Sequence, residues 1–301
     1  MKANQASATA YLIAESAVFL SQNEAIKALL QSKTIELSKC FADSRSFSNK
    51  LVYLAKQIKI LRPFFTAFEH LVIPGIQLHY LVCKRRIEEI ALDALAKDFK
   101  QIVIFGAGFD TLALRLHKNF QDVNFIEIDY PSTQTVKKCV IEEHRLANDN
   151  LKFISLDLTK NSLSQTILDA DYFRPNTKTL FVAEGLFMYL TESEIENLFD
   201  FVRQNSRKQS WFAFTFMERQ ANNRIAFRNS LKLVDFWLKM RGEPFRSGFN
   251  QSELIDFLNK KDFTLESLDS AETFRQRYLT SPELQNLPLA EGELLCLTVM
   301  N

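Results

Sequence analysis

Two short stretches of this chain carry residues that could bind a nucleoside. Gly106 and Gly108 follow the apolar run Ile102 to Phe105. The chain has only seven glycines in 301 residues, far below the usual fraction of about 7%, so a pair one residue apart indicates a tight bend or a close backbone approach to a ligand. The next apolar run ends in Glu127 and Asp129. A carboxylate at the tip of such a strand can accept hydrogen bonds from ribose hydroxyls, and Asp129 lies closer to the tip.

Two later apolar runs end in residues that would complete such a site. Asp157 and Leu158 follow the third run, where an acid can accept from an adenine amino group and an apolar side chain can pack on the ring. On local grounds, Asp157 could equally be a helix N-cap. Glu184 interrupts the fourth run just before Gly185, and a buried carboxylate needs a partner. A ligand ammonium group and an arginine are both candidates.

The glycine pattern separates two ligand classes. Dinucleotide sites usually have G-x-G-x-x-G, whereas Gly106-Ala107-Gly108-Phe109-Asp110-Thr111 has no third glycine. Asp110 beside the turn would also repel a pyrophosphate. The residues therefore favour a cationic, phosphate-free ligand such as S-adenosylmethionine, whose sulfonium and ammonium groups are attracted to carboxylates.

Elements of two kinds must position these residues. Residues 1–98 show helical spacing of apolar side chains and predict a helical N-terminal segment. Residues 99–301 alternate seven short apolar runs with helical segments, which predicts an α/β domain with one mostly parallel, seven-stranded sheet covered on both faces. The last run, in residues 292–301, could be an antiparallel edge strand. Residues 217–248 are read as an insertion of one or two helices that could form a lid over the site.

Composition narrows the function classes further. The net charge of +1 gives no reason to expect nucleic acid or acidic lipid as a partner. The four cysteines and four histidines have no metal-ligand spacing, and the cysteines suggest a reducing compartment rather than a disulfide framework. No run reaches the ~18 apolar residues of a membrane span, and the start of the chain lacks a signal-peptide pattern. We therefore expect no metal, no membrane and a cytoplasmic location.

Several ordered motifs resemble those of the leucine carboxyl methyltransferase family. They read GAGFDTLALRL, EIDYP and AEGLFMYL, with SATAYLIAES near the start and GEPFRSGF and QRYL near the end. The resemblance covers most of the chain. It implies a Rossmann-like, class I, S-adenosylmethionine-dependent methyltransferase with a helical N-terminal cap over the cofactor.

The resemblance also implies which positions contact the cofactor. They match Gly106, Asp129, Asp157, Leu158 and Glu184. An arginine on the helix before the first strand would bind the cofactor carboxylate; Arg85 is the best match, and Arg86 is its rival. Without the resemblance, Lys84, Arg85 and Arg86 read as a solvated basic face paired with Glu88 and Glu89.

The acceptor is constrained less than the methyl donor. An ionised carboxylate needs no general base, only a cation or hydrogen-bond donors to hold it, for which Arg246 and Tyr189 are candidates. A hydroxyl needs a base, and no histidine is singled out by the sequence. We therefore expect O-methylation of a small molecule, with a carboxylate favoured over a hydroxyl.

Three alternative functions stay open: a carboxyl methyltransferase with a protein C-terminus as acceptor, an NAD-dependent oxidoreductase, and a non-catalytic nucleoside-binding protein. Nothing in the sequence identifies the acceptor or the oligomeric state.

Overall fold

The protein, seen here as a computed structural model, is described over residues 5–45, 47–160 and 163–301. The strands are β1 Gln101–Phe105, β2 Asn124–Asp129, β3 Leu151–Ser155, β4 Thr179–Ala183, β5 Trp211–Met217, β6 Phe263–Asp269 and β7 Glu293–Met300. The helices are α1 Ala8–Leu20, α2 Glu24–Lys27, α3 Ser32–Asp43, α4 Phe47–Gln57, α5 Arg62–Val72, α6 Ile76–Ala96, α7 Leu112–Leu116, α8 Pro131–Glu143, α9 Leu163–Leu168, α10 Glu192–Asn205, α11 Lys232–Arg241, α12 Gln251–Lys260 and α13 Ala271–Tyr278.

The seven strands form one sheet in the order β3-β2-β1-β4-β5-β7-β6. Strands β1 to β5 pair in parallel, and β7 runs antiparallel to both of its neighbours. The prediction of a seven-stranded, mostly parallel sheet is confirmed. The expectation that the last run forms an edge strand is wrong, because β6 lies at that edge. The reason is burial. Seven of the eight β7 residues are buried, which suits a strand with neighbours on both sides, whereas β6 includes exposed residues, which suits the edge.

Alternate residues of each strand enter two apolar layers on opposite faces of the sheet. Ile102 and Ile104 of β1 pack with residues of α1, α3 and α6. Val103 and Phe105 belong to the opposite layer, which is rich in phenylalanine and is closed by α10. The helices on both faces match the predicted α/β architecture.

The described residues of the N-terminal region form helices α1 to α6 and the turns between them, with no strand, as predicted. Its last helix, α6, contributes Leu78, Val82 and Ile90 to the same apolar layer as β1. A boundary between two domains near residue 98 stays a prediction, because α6 is part of the packing of the sheet. Among the described residues, no helix has both the length and the hydropathy of a membrane span.

The segment 217–248 joins β5 to the region before α12. Over these residues the chain forms one helix, α11, and otherwise turns and single bridges such as Arg219 with Ile225. It contacts the N-terminal region directly, because the amide of Leu231 donates to the carbonyl oxygen of Val72 at 3.0 Å. A lid function for this segment stays a prediction.

A fully buried ion pair ties the sheet to α8. Lys137 Nζ lies 2.6 Å from Glu127 Oε2, and both side chains are 0% exposed. The same ammonium donates to the carbonyl oxygen of Asp110 at 2.7 Å. This lysine therefore holds together β2, α8 and the turn that follows β1. Removing one partner of a buried pair leaves an uncompensated charge.

We expect Lys137→Met to lower the free energy of unfolding by about 3 kcal/mol, since Glu127 would stay buried without its counter-ion. Urea denaturation measures the loss. Lys27→Met is the matched control, because Lys27 forms an exposed pair with Glu24 at 3.4 Å, and its loss should stay below about 0.5 kcal/mol. Equal losses in the two variants would contradict the structural role of Lys137.

Candidate functional site

A cavity of about 530 Å³ lies at the carboxyl ends of the central parallel strands, where α/β sheets bind their ligands. Its volume is within the range of about 300–1,000 Å³ that is usual for small-molecule sites. The turn after β1 and the residues just beyond β2, β3 and β4 form its floor. Residues of α1, α6 and the segment 217–248 form its walls.

The turn after β1 depends on its two glycines. Gly106 has φ +64° and Gly108 has φ +48°, a region that side chains other than glycine rarely adopt. A Cβ at position 108 would lie 3.3 Å from Ala10 Cβ, so α1 packs directly over the turn. Both glycines line the cavity, and their contact with a cofactor stays a prediction. The backbone is thereby exposed to any ligand in the cavity.

Asp129 ends β2 and is 5% exposed. Its Oδ2 accepts a hydrogen bond from the amide of Gly108, and its Oδ1 accepts from the amide of Tyr130. Burial raises the pKa of the Asp129 carboxyl to about 6, although these two amides oppose the rise. Asp129 is therefore fixed in orientation and lines the cavity, and its binding of a ribose stays a prediction.

The residues after β3 also reach the cavity. Asp157 and Leu158 both line it. Asp157 Oδ1 accepts from the backbone amide of Thr159 at 3.1 Å and from its hydroxyl at 2.7 Å. Asp157 therefore stabilises a turn rather than capping a helix, and it contributes to the cavity wall at the same time.

Lys84 joins the two remaining carboxylates of the floor. Its ammonium bonds to Asp110 Oδ2 and lies 2.9 Å from Glu184 Oε2. The sequence suggested an arginine as one possible partner of Glu184, whereas in the structure its partner is Lys84. Burial raises the pKa of the Glu184 carboxyl, and the Lys84 charge only partly offsets the rise. The charge of Asp110 is likewise balanced by Lys84, so its repulsion of a phosphate is weaker than its isolated charge suggests.

The structure does not place Arg85 in the cavity. Tyr80, Cys83, Lys84 and Ile87 line it from one face of α6, following the i, i+3, i+4, i+7 spacing of a helix. Arg85 points away, with its side chain 41% exposed and its Nε 3.5 Å from Glu89 Oε1. The rival, Arg86, is bound 2.9 Å from Asp269 Oδ2, also outside the cavity. Of the three basic residues, the structure brings only Lys84 to the site.

Tyr189 and Arg246, predicted to position an acceptor, both line the cavity. Tyr189 packs edge-on against Phe245, with the ring centroids 5.6 Å apart. Burial raises the pKa of the Tyr189 hydroxyl, which stays protonated at neutral pH. Arg246 is partly exposed and lies 3.4 Å from Glu194.

Sequence reasoning missed three polar groups in or beside the cavity. Lys84 could have been found from its helical spacing with Tyr80 and Ile87. Glu243 lines the cavity and accepts from the Thr9 hydroxyl at 2.7 Å. Glu293, paired with His79, lines it from the start of β7. The last two contacts join distant parts of the chain, so no local pattern indicates them. Over the described residues, no cluster of side chains suits a metal ion.

The charges of the cavity wall indicate a ligand class. The lining includes six carboxylates and two cationic side chains, all within the described part of the chain. The acids are Asp110, Asp129, Asp157, Glu184, Glu243 and Glu293; the cations are Lys84 and Arg246. Such an excess attracts a cation and repels a diphosphate. The site therefore suits a ligand with positive charge, ribose hydroxyls and no phosphate.

Comparison with known proteins gives a family match. A family model described as leucine carboxyl methyltransferase matches residues 5–203. A Bacillus subtilis (strain 168) relative, YktD, provisionally named an S-adenosyl-L-methionine-dependent methyltransferase, is 30% identical over 57% of this chain and 56% of its own. A Mycolicibacterium smegmatis relative with the same provisional name is 24% identical over 66% of this chain and 62% of its own. The chain thus spans less than two thirds of the length of these relatives.

Among solved structures, a Burkholderia thailandensis 1,6-didemethyltoxoflavin-N1-methyltransferase with bound S-adenosylhomocysteine aligns with a TM-score of 0.46. The alignment has 12% identity and covers 73% of this chain and 78% of that one.

The Asp129 carboxyl should make the stability of the protein depend on pH. Its pKa is about 6 in the folded state and about 3.9 in an unfolded chain. The folded state therefore holds this proton more tightly, and the free energy of unfolding falls as the pH rises between these values. The Asp129→Asn variant has no ionisable group at this position. Between pH ~4 and ~7, we expect the free energy of unfolding of the wild type to fall by about 2 kcal/mol relative to that of this variant. Urea denaturation at each pH measures the difference. A difference that stays constant with pH would show that Asp129 is not perturbed.

Proposed function

Because this chain belongs to the leucine carboxyl methyltransferase family, we propose that it is an S-adenosylmethionine-dependent methyltransferase. Its acceptor is an oxygen of a small molecule, a carboxylate or a hydroxyl. The observation that carries this proposal is the convergence of Gly106, Gly108, Asp129 and Glu184 on one acidic cavity at the carboxyl ends of β1, β2 and β4. That site has the glycine turn and ribose-binding acid of a nucleoside site together with the charge that a sulfonium compound requires.

The residues of the site fit each part of this cofactor. Asp129 would accept from the ribose hydroxyls, since its carboxylate is oriented by two backbone amides. Asp157 and Leu158 would hold the adenine. The amino-acid end is a zwitterion, for which the neighbouring Glu184 and Lys84 provide one charge of each sign. Lys84 takes the role that the sequence assigns to Arg85.

When bound, the cofactor supplies a methyl group on a positively charged sulfur, which is already activated for displacement. The protein has to orient the acceptor and exclude water. Met188, Phe227 and Phe245 offer an apolar wall for this purpose. Tyr189 and Arg246 are the side chains that we expect to contact the acceptor. The segment 217–248 supplies part of this wall, and we propose that it acts as a lid and sets acceptor specificity.

The competing functions fit the cavity less well. An NAD-dependent oxidoreductase would need to bind a diphosphate beside Asp110, Asp129 and Glu184, without the third glycine of the dinucleotide motif. A non-catalytic nucleoside-binding protein would share the cofactor site but would lack transfer.

We propose a cytoplasmic location, with a small molecule as partner. The four cysteines form no disulfide, which is usual in a reducing compartment. The net charge of +1 favours neither nucleic acid nor a membrane as partner.

Calorimetric titration with S-adenosylhomocysteine and with NAD⁺ tests the cofactor class. We expect S-adenosylhomocysteine to bind and NAD⁺ to bind at least 100-fold more weakly. Asp129→Ala should lower the affinity for S-adenosylhomocysteine by about 100-fold, because two charge-assisted hydrogen bonds to the ribose are lost. Asp122→Ala is the control, since Asp122 is exposed and pairs with Lys100.

Tight binding of NAD⁺ without binding of S-adenosylhomocysteine would overturn the proposed function. An unchanged affinity of Asp129→Ala for S-adenosylhomocysteine would show that the cofactor does not bind at Asp129. Transfer from a methyl-labelled cofactor to an extract of small acids and alcohols separates an enzyme from a binding protein. Labelling of peptides instead would favour a protein C-terminus as acceptor.

Substitutions of Lys84 and Arg85, which are adjacent in α6, test how the amino-acid end of the cofactor is bound. We expect Lys84→Met to weaken S-adenosylhomocysteine binding at least about tenfold, because the ligand carboxylate loses its cation. Binding of 5′-methylthioadenosine, which lacks the amino acid, should change little. Arg85→Met should leave both affinities within about twofold. A loss in Arg85→Met but not in Lys84→Met would restore the assignment made from the sequence.

A further inference from the structure

We propose that the methyl acceptor is an uncharged, largely apolar molecule with a hydroxyl group, that Glu293 is the general base that takes its proton, and that His79 positions Glu293. This inference rests on the proposed function and names the substrate class of the same site. It replaces the preference for a carboxylate acceptor that the sequence suggests.

The half of the cavity away from the glycine turn is apolar and aromatic. Ile76, Met188 and Phe227 are buried there in one cluster, and Tyr189 and Phe245 pack against it. All five side chains line the cavity. Phe245 lies edge-on to Phe227, with 6.3 Å between the ring centroids. An acceptor in this half would be held by apolar and aromatic contacts.

The charges of this half disfavour a carboxylate acceptor. Glu243 and Glu293 are buried there and would repel it. The described lining has two cations: Lys84 is assigned to the amino-acid end of the cofactor, and Arg246 lies 3.4 Å from Glu194. An uncharged hydroxyl avoids this repulsion and can donate its hydrogen to a carboxylate.

Glu293 and His79 form a buried dyad. His79 Nε2 lies 3.0 Å from Glu293 Oε2, and their side chains are 0% and 4% exposed. The histidine packs edge-on against Phe227 and Phe274. His79 does not itself line the cavity, but its Nε2 lies near two groups that do, Glu293 and the Cys83 thiol at 3.5 Å. A donor N–H from His79 would fix the orientation of the carboxylate, as the third member of a catalytic triad orients its base.

Glu293 is placed where the acceptor must lie. It is the first residue of β7 and pairs with Met217 at the carboxyl end of β5, so it lies at the same sheet edge as Asp129 and Glu184. Burial raises the pKa of the Tyr80 hydroxyl and of the Cys83 thiol, and the negative charge of Glu293 adds to each rise. Both of these side chains line the cavity, and Glu293 lines it as well.

The transfer step balances with these groups. The acceptor oxygen forms a bond to the methyl carbon while the bond between that carbon and the donor sulfur breaks, and sulfur keeps the electron pair. The hydroxyl proton moves to the Glu293 carboxylate. Glu293 returns this proton to water after the product leaves.

Binding of two ring-matched probes tests the acceptor class. In the presence of S-adenosylhomocysteine at pH ~7.5, we expect 2-naphthol to bind at least tenfold more tightly than 2-naphthoate. In Glu293→Gln the difference should shrink to about threefold, because the repelling charge is gone. Glu192→Gln, an exposed residue paired with Arg219, is the control and should keep the wild-type preference. Equal or tighter binding of 2-naphthoate, or binding of neither probe, would overturn the proposal.

Methyl transfer to 2-naphthol tests the base. We expect Glu293→Gln to lower its rate by at least about 100-fold, the size of a general-base contribution, with S-adenosylhomocysteine affinity within about threefold of the wild type. An unchanged rate, or transfer to 2-naphthoate but not to 2-naphthol, would overturn the assignment.

The positioning role of His79 has its own readout. In His79→Phe the Glu293 carboxylate loses the partner that lies 3.0 Å away, so we expect kcat for methyl transfer to 2-naphthol to fall at least about tenfold, while its KM and the affinity for S-adenosylhomocysteine stay within about threefold. His79→Gln, which keeps an N–H donor, should recover part of the loss. An unchanged kcat in His79→Phe, or an equal loss in His79→Gln, would refute the role of His79. If S-adenosylhomocysteine does not bind the wild type at all, the proposed function fails rather than this inference.

Discussion

Two lysines, Lys84 and the fully buried Lys137, hold the site together. Lys84 of α6 bonds to the Asp110 carboxylate and to Glu184 after β4, and Lys137 of α8 bonds to the Asp110 carbonyl and to Glu127 of β2. The turn that carries Gly106 and Gly108 is thereby clamped between two helices and two strands. Carboxylates gathered at one sheet edge would repel one another without these ammonium groups. The cavity can therefore be acidic and still be part of a stable fold.

This arrangement also decides what the cavity can bind. The lysines compensate the acids of the floor, but the lining keeps more carboxylates than cations. A cationic, phosphate-free cofactor gains from that excess, whereas a diphosphate or a second carboxylate does not. The same electrostatic balance that selects the cofactor thus extends to the acceptor half, where Glu293 and Glu243 meet an apolar wall. One constraint accounts for both the cofactor class and the proposed hydroxyl acceptor.

The two corrections share a physical origin. Arg85 and Lys84 are neighbours in sequence, but consecutive residues of a helix point about 100° apart, and Lys84 lies on the cavity face of α6 with Tyr80 and Ile87 whereas Arg85 lies outside it. The last strand is apolar on both faces and is therefore inserted beside β5, while the more polar β6 takes the edge. In each case, a local pattern identified the element but not the face or the neighbour that it would have.

The sequence by itself determined the strand and helix pattern, the glycine turn, the acids at the ends of β2, β3 and β4, and the family. These are local signals, since each follows from the spacing of residues within one or two elements. Only the tertiary structure decided that Lys84 rather than Arg85 faces the cavity, that Glu127 is paired with Lys137, and that His79 contacts Glu293. His79 and Glu293 are 214 positions apart in the chain. Contacts of this kind depend on how the sheet is ordered and how the helices are rotated on it, which no spacing in the sequence records.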